Sequence, residues 1–117
     1  MASEHIYKQF DSDLEAIRAK VLEMGTLVEE QTANAVKSLL NTDIKLAEAV
    51  MKRDVQINDL EMAIDEETSL LIAKRSPAAG DLRNIMMMLK IITDLERMGD
   101  EAAKIARSTT RIFEDNR

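Results

Sequence analysis

The stretch from residue 75 to residue 113 decides the fold, and it reads RSPAAGDLRNIMMMLKIITDLERMGDEAAKIARSTTRIF. Within it, one row of residues recurs every seven positions: Ile85, Ile92, Gly99, Ala106 and Phe113, flanked by a second row of Leu82, Leu89 and Ala103. A seven-residue repeat sustained over several heptads is typical of a helix that packs along a coiled-coil-like seam. Ser76 is suited to be an N-cap and Pro77 to be the first helical residue. We therefore expect a helix over about residues 77–115.

The rest of the chain carries two more rows with the same period. They are Phe10, Ile17 and Met24 with Leu14, Val21, Val28 and Ala35, and then Val50, Ile57, Ile64 and Leu71 with Leu60. The Asn, Thr and Asp at residues 41–43 can end one helix and cap the next, so we expect helices over about residues 4–40 and 43–75. Short connections between long helices favour antiparallel neighbours. The sequence predicts an all-α fold, an antiparallel up-down-up three-helix bundle, as a single domain over residues 1–117.

Composition narrows the possible functions. The formal net charge is −6, which would repel phosphate backbones, so nucleic acid is not an expected partner. The first ten residues lack a signal-peptide h-region, and no apolar run is long enough to span a membrane, so we expect a cytoplasmic protein without membrane insertion. With no cysteine, one histidine and no glycine-rich phosphate loop, the chain shows no catalytic equipment. We do not expect an enzyme.

We favour a purely structural role for two features of the predicted seams. Gln31 occupies a core position of the first helix, where a satisfied polar residue can fix helix register. Met86, Met87 and Met88 are consecutive on a helix and must point in three directions, so at least one faces away from the core. Gap-filling in a long bundle is the simpler explanation of the methionines, and a partner surface is the alternative.

Carboxylates interrupt the apolar pattern of the third helix. Glu96 falls at the position of the second row that lies between Leu89 and Ala103, and Asp100 lies one turn further on the same face. A carboxylate near a seam is costly unless it is protonated, paired or bound to a metal. Gly99, beside both, lowers helix stability by about 1 kcal/mol relative to alanine, which suggests that another backbone approaches closely there.

The second helix has a matching polar stripe. It consists of Asp54, Asn58, Glu61 and Asp65, at spacings of four, three and four residues. If the chain folds back near residue 78, Asp54 lies near Ala102 and Asn58 near Met98, so the two residues straddle the level of Glu96 and Asp100. Glu61 is within reach, and Asp65 is more remote.

Oxygen ligands on two facing helices can hold Fe, Mn, Mg, Ca or Zn. The pattern therefore predicts a metal site formed by Asp54, Asn58, Glu61, Glu96 and Asp100. The alternative is an acidic edge that is solvated and paired with Arg53, Arg97 and Lys104.

Several segments resemble the PhoU family. Residues 94–100, which read DLERMGD, closely resemble the family's LERIGD signature, and residues 73–83 are similar to the turn between its helices. Phe10, residues 17–18, 24–25 and 28–29, and the stretch 54–65 are similar to its first and second helices. The resemblance covers nearly the whole chain. Known PhoU proteins contain two tandem three-helix repeats, so it implies that this chain is the first repeat, either a fragment or a single-repeat form that dimerises.

The resemblance also implies a function. PhoU proteins are negative regulators of phosphate uptake and of the phosphate-starvation response, and they are thought to link the ATPase subunit of a phosphate ABC transporter to a sensor histidine kinase. Family members bind iron or other metals through paired Glu/Asp-x-x-x-Asp motifs, which correspond here to Glu96 with Asp100 and to Asp54 with residue 58. Because residue 58 is Asn58, the set has one charge fewer, and Glu61 is the candidate to compensate. The expected cofactors are Fe, Mn, Zn or Mg ions, with no organic cofactor.

Two other functions stay open on the sequence alone. One is a metal-storage or metal-sensing bundle, which predicts stoichiometric metal that is lost when Glu96 and Asp100 are changed. The other is a helical assembly module with neither role. The regulatory function predicts instead that the transporter and kinase proteins co-purify with the chain. In either case a homo-oligomer, a dimer, is expected.

Overall fold

Three long helices form a rod. The computed structural model describes the backbone of residues 2–115 and the side chains of residues 8–115. Helix α1 spans Ala2–Asn41, α2 spans Ile44–Arg75 and α3 spans Ala79–Asp115, each packs against the other two, and no strand occurs in the described part. The bundle measures 70 × 18 × 17 Å. The predicted all-α three-helix bundle is confirmed, and the helices begin and end within a few residues of the predicted limits.

The turn between α1 and α2 follows the predicted capping chemistry. Thr42 adopts a left-handed conformation with φ of 48°, which reverses the chain. Asp43 is the N-cap of α2, and its side chain accepts a hydrogen bond of 3.1 Å from the Leu46 backbone N–H. This bond satisfies one of the N–H groups that have no partner within a helix at its first turn.

The turn between α2 and α3 corrects one prediction. Ser76 is not the N-cap of α3 but the C-cap of α2, in a left-handed conformation with φ of 44°, and its N–H donates to the Ile72 carbonyl at 3.1 Å. Pro77 lies in the turn, and α3 begins at Ala79, two residues later than predicted. The reason is steric: a residue before proline is disfavoured in the right-handed helical region, and the left-handed cap ends α2 there.

The predicted rows form the core, which has two parts. The larger part lies toward the α2–α3 turn. It is a cluster of bulky side chains: Phe10, Leu14, Ile17, Met24, Leu27, Val28, Ile57, Ile64, Leu71, Ile85, Met88 and Ile92. The smaller part contains Ala35, Ala47, Val50, Ala102 and Ala106. Small residues let the three helices approach closely at this end. Two residues of the predicted rows, Leu82 and Phe113, are exposed instead of buried.

Buried polar side chains lie near the small-residue end. Gln31 is fully buried, and its Nε2 donates to the Val50 carbonyl at 2.6 Å, which fits the predicted role in register. Its Oε1 has no hydrogen-bond partner in the described part of the chain. The hydroxyls of Ser38 and Thr109 meet at 3.1 Å and tie α1 to α3. These contacts link α1 to both other helices and fix its register against them.

The methionine triplet behaves as its helical position requires. Met88 is buried in the core, whereas Met86 and Met87 are exposed, so the expectation that at least one faces outward is confirmed. No helix among the described residues is long and apolar enough to cross a membrane.

Candidate metal centre

Helices α2 and α3 approach closely at Gly99, which is buried. A methyl group at position 99 would lie 3.1 Å from Ile57 Cδ1, 3.3 Å from Ile57 Cγ2 and 3.6 Å from Asp54 Oδ1. The absence of a side chain therefore allows the close approach that the sequence indicated. The Ile57–Gly99 contact also confirms the predicted register, in which Asp54 and residue 58 straddle the level of Gly99.

Four of the five predicted ligands form one electrostatic neighbourhood around this contact. Asp54 and Glu61 on α2, and Glu96 and Asp100 on α3, are each partly buried. The pKa of Glu96 is raised by a hydrogen bond with the Asp100 side chain, by burial, and by repulsion from Asp100, Glu61 and Asp54. The protonated form of Glu96 is therefore favoured relative to that of an isolated glutamate.

The carboxylates of α2 experience the same repulsion. Burial raises the pKa of Asp54, Asp100 raises it further, and the guanidinium of Arg107 lowers it. Burial also raises the pKa of Glu61, and so do the charges of Asp100 and Asp65. Asp54, Glu61, Glu96 and Asp100 thus repel one another, and the attraction of Arg107 offsets part of this repulsion at Asp54.

The carboxylate of Asp54 has an unsatisfied oxygen atom. Its Oδ1 is buried and has no hydrogen-bond partner among the described residues. A buried carboxylate oxygen without a hydrogen-bond donor destabilises the fold, and binding of a cation or a proton removes this cost. An oxygen-rich donor set with excess negative charge suits hard and borderline cations.

The ligand set is nevertheless not assembled around one point. Among the side chains that the structure describes, no three His, Asp or Glu residues are close enough together to hold a metal ion. Asn58 is exposed, as is Asp65. Binding one ion would therefore require some of these carboxylates to change rotamer, and the five-residue metal site stays a prediction.

The alternative was an acidic edge that is solvated and paired with Arg53, Arg97 and Lys104, and the described ion pairs do not include that pairing. Arg53 pairs with Glu30 of α1 at 3.5 Å, and Lys104 pairs with Glu101 on its own helix at 3.2 Å. Within the described part of the chain, no ion pair joins Arg53, Arg97 or Lys104 to the four clustered carboxylates.

Two neighbours of the cluster were not predicted to belong to it. Arg107 acts on Asp54 across the helix pair, and its position seven residues after Asp100 on α3 is the signal that could have revealed it. Gln31 contacts the Val50 carbonyl, one helical turn before Asp54. No sequence pattern indicates that contact, because it joins two different helices.

Comparison with known proteins decides the family. The sequence pattern that defines the PhoU domain matches residues 21–109, most of the chain. The chain belongs to the PhoU family. The predicted resemblance is therefore confirmed, and the structure agrees: the crystal structure of PhoU from Pseudomonas aeruginosa superimposes with a TM-score of 0.88 at 46% identity, covering 91% of this chain and 51% of that one.

Relatives within the PhoU family are similar along nearly all of this chain. The phosphate-specific transport system accessory protein PhoU homolog of Burkholderia sp is 50% identical over 112 residues, which are 96% of this chain and 48% of the relative. Escherichia coli PhoU, which has the same descriptive name, is 44% identical over 111 residues, covering 95% of this chain and 46% of the relative. The chain thus spans about half the length of the PhoU proteins that it matches.

Proposed function

We propose that this chain works in a phosphate-specific transport system as a non-catalytic accessory protein that represses phosphate uptake and the phosphate-starvation response. The observation that carries the proposal is 50% identity over 96% of the chain to a phosphate-specific transport system accessory protein. The site of action would be the cytoplasm.

Regulation would occur by contact. We infer that the partners are the ATPase subunit of a phosphate transporter and a sensor histidine kinase, as the family resemblance implies. A long bundle has the surface for two partners at once, and its exposed apolar side chains, Met62, Met86 and Met87 among them, are adaptable contact residues. Self-association belongs to the same proposal, because the family resemblance implies a dimer where one three-helix repeat acts by itself.

The second part of the proposal is that carboxylates bind a cation. Asp54, Glu61, Glu96 and Asp100 would supply oxygen ligands from two facing helices, and Asn58 would supply a neutral oxygen at the rim. A bound Fe, Mn, Zn or Mg ion would provide positive charge that relieves the repulsion among these groups. The buried Asp54 Oδ1 without a partner supports this fit.

Co-purification with defined partners tests the regulatory proposal. The tagged chain would be mixed with the purified ATPase subunit and with the cytoplasmic part of the kinase, in the presence of Mn²⁺ and again with a chelator. We expect both partners to be retained, and retention to fall with the chelator if the ion shapes the contact surface. A matched pair of variants, Glu96→Ala/Asp100→Ala and the exposed control Asp59→Ala/Glu101→Ala, separates the site from general charge effects.

The outcomes distinguish the alternatives. Failure of both partners to bind, under either condition, would refute the regulatory proposal. Metal bound without partner binding would favour the storage or sensing bundle. Absence of both would leave the assembly module.

A further inference from the structure

A groove of about 220 Å³ lies between α1 and α2, and none of its lining residues belongs to the candidate metal centre. Its lining is apolar at Ile17 and Leu71, which are buried, and charged at Asp13, Glu67 and Lys74. We call this depression the α1/α2 groove. A concave surface with apolar walls, on which a few polar groups converge, is the usual form of a small-ligand site.

Two ion pairs between α1 and α2 border the α1/α2 groove. Lys20 pairs with Glu67, and Arg75 lies beside Asp13, with 3.9 Å between Nη2 and Oδ2. Together with Lys74, these side chains supply three cations and two anions, whereas the formal net charge of the whole chain is −6. A local excess of positive charge on an acidic protein attracts small anions to that place.

Three charged groups at the α1/α2 groove lack the partners that their chemistry requires. Among the side chains that the structure describes, Lys74 makes no ion pair. The Nε of Arg75 is buried without an acceptor in the described part of the chain, and Asp13 is too far from Nη2 for a hydrogen bond. Glu67 Oε1 accepts from Lys20, but Oε2 is buried and no described group donates to it. A ligand that satisfies all three groups must accept hydrogen bonds from two cations and donate one to a carboxylate.

This combination of acceptors and a donor narrows the class of anion. Sulfate and carboxylates are fully ionised at neutral pH, so they only accept hydrogen bonds. A phosphate monoester loses its second proton at about pH 6 and then only accepts as well. Inorganic phosphate keeps at least one P–OH group at neutral pH, and its other oxygens accept. Guanidinium and ammonium groups form strong, charge-assisted hydrogen bonds with phosphate oxygens.

We propose that the α1/α2 groove binds inorganic phosphate. The phosphate oxygens accept hydrogen bonds from Lys74 and Arg75, and the P–OH group donates to Glu67 Oε2. The inference rests on the proposed function, because a regulator of phosphate uptake that binds the ion itself responds to its concentration directly. Ile17 and Leu71 keep water from one side of the groove, which strengthens hydrogen bonds between charged groups.

The basic residues also have a structural role that is compatible with phosphate binding. Lys74 and Arg75 lie in the last turn of α2, where positive charge stabilises the C-terminus of a helix. That role requires their charge and leaves their N–H donors free. It also gives no account of Glu67 Oε2, the buried acceptor without a donor among the described residues. Selectivity for an anion that donates a hydrogen bond therefore distinguishes phosphate binding from helix stabilisation alone.

An NMR titration of the isotope-labelled chain tests the proposal. Sodium phosphate, sulfate or methyl phosphate would be added at about pH 7.5 and constant ionic strength, with a chelator present so that no metal ion holds the anion. With phosphate, we expect saturable shifts of amide signals centred on residues 13–20 and 67–75. We expect sulfate and methyl phosphate to bind at least about tenfold more weakly, because neither donates a hydrogen bond to Glu67.

Two variants and a control assign the binding to named groups. Lys74→Ala should weaken phosphate binding about tenfold. Lys52→Ala should leave it unchanged, because Lys52 is also exposed on α2 but lies about 33 Å away along the helix. Glu67→Gln should remove most of the preference for phosphate over sulfate, since an amide can donate to sulfate where a carboxylate cannot. Circular dichroism confirms that the variants are folded alike.

Three results would overturn the proposal. The first is the absence of saturable shifts at the groove, and the second is equal affinity of wild type for phosphate and sulfate. The third is an equal loss of binding in Lys74→Ala and Lys52→Ala, which would indicate general attraction of anions. Failure here is distinguishable from failure of the proposed function, because retention of the ATPase subunit and the kinase is measured separately. Retained partners without phosphate binding would refute direct binding of the ion and leave the regulatory proposal standing.

Discussion

Replacing Asp54 with asparagine should stabilise the metal-free protein. Asp54 Oδ1 is buried without a hydrogen-bond partner among the described residues, and such an oxygen costs about 1–3 kcal/mol. Asp100 adds repulsion, whereas Arg107 offsets part of it. Asparagine keeps the shape, removes the charge and adds N–H donors. Because the side chain is only partly buried and the attraction of Arg107 is lost, we expect a net gain of about 1 kcal/mol.

Denaturation by urea and by heat measures this effect, with a chelator present. A gain of about 1 kcal/mol in the free energy of unfolding corresponds to a rise of roughly 3–6 °C in Tm for a domain of this size. Asp59→Asn is the control, because Asp59 is exposed on the same helix. A lower Tm for Asp54→Asn, or an equal rise for the control, would refute the view that Asp54 is held in an unfavourable environment. Stabilisation by added Mn²⁺ should be smaller in Asp54→Asn than in wild type.

Three further predictions follow from the same contacts. The raised pKa values of Asp54, Glu61 and Glu96 mean that folding disfavours the ionised forms of these side chains. The free energy of unfolding of the protein in chelator should therefore rise as pH falls from about 7.5 to about 5. A urea midpoint that falls over this range would contradict the prediction. Gln31→Met should stabilise the fold by about 1 kcal/mol, because it removes the unpaired Oε1 and loses only one hydrogen bond. Gln31→Ala should destabilise the fold by about 2–3 kcal/mol, because it leaves a cavity. Urea denaturation measures both variants, and destabilisation by Gln31→Met would contradict the prediction. Thr42→Gly should raise stability by about 0.5–1 kcal/mol, because a β-branched residue is strained at φ of 48°; an unchanged or lower Tm would show that this turn is not strained.

The sequence predicted the core well because one period governs all three helices. Ile57, Ile64, Ile85 and Ile92 are buried where the seven-residue rows place them. Phe113 departs from the pattern: it is 38% exposed and lies at the level of the turn that follows the end of α1 at Asn41.

Local chemistry was less decisive at the second turn. Serine before proline fits either an N-cap or the end of the preceding helix, and a proline restricts Ser76 without assigning it to α2 or α3. The observed left-handed conformation of Ser76 depends on how α2 ends. Capping preferences of single residues do not show at which residue α2 ends.

The sequence predicted which carboxylates lie near one another, but not how their side chains are arranged. The spacing of Glu96 and Asp100, with a helix register counted from the turn, placed them near Asp54 and Glu61. Residue spacing does not give side-chain rotamers or contacts with a third helix. For this reason the sequence predicted a role of Gln31 in helix register but not its contact with the Val50 carbonyl. The charge of Arg107 was missed because it lies beyond the acidic motif.

Elemental analysis of the purified chain tests the metal proposal most directly. Wild type would be compared with Glu96→Ala/Asp100→Ala after reconstitution with Fe, Mn, Zn or Mg and removal of loosely held ions, at matched folding by circular dichroism. We predict stoichiometric metal in wild type and its loss in the variant, with Asp59→Ala/Glu101→Ala retaining it. Absence of metal from wild type after reconstitution, or equal retention by all three proteins, would contradict a carboxylate metal site between α2 and α3.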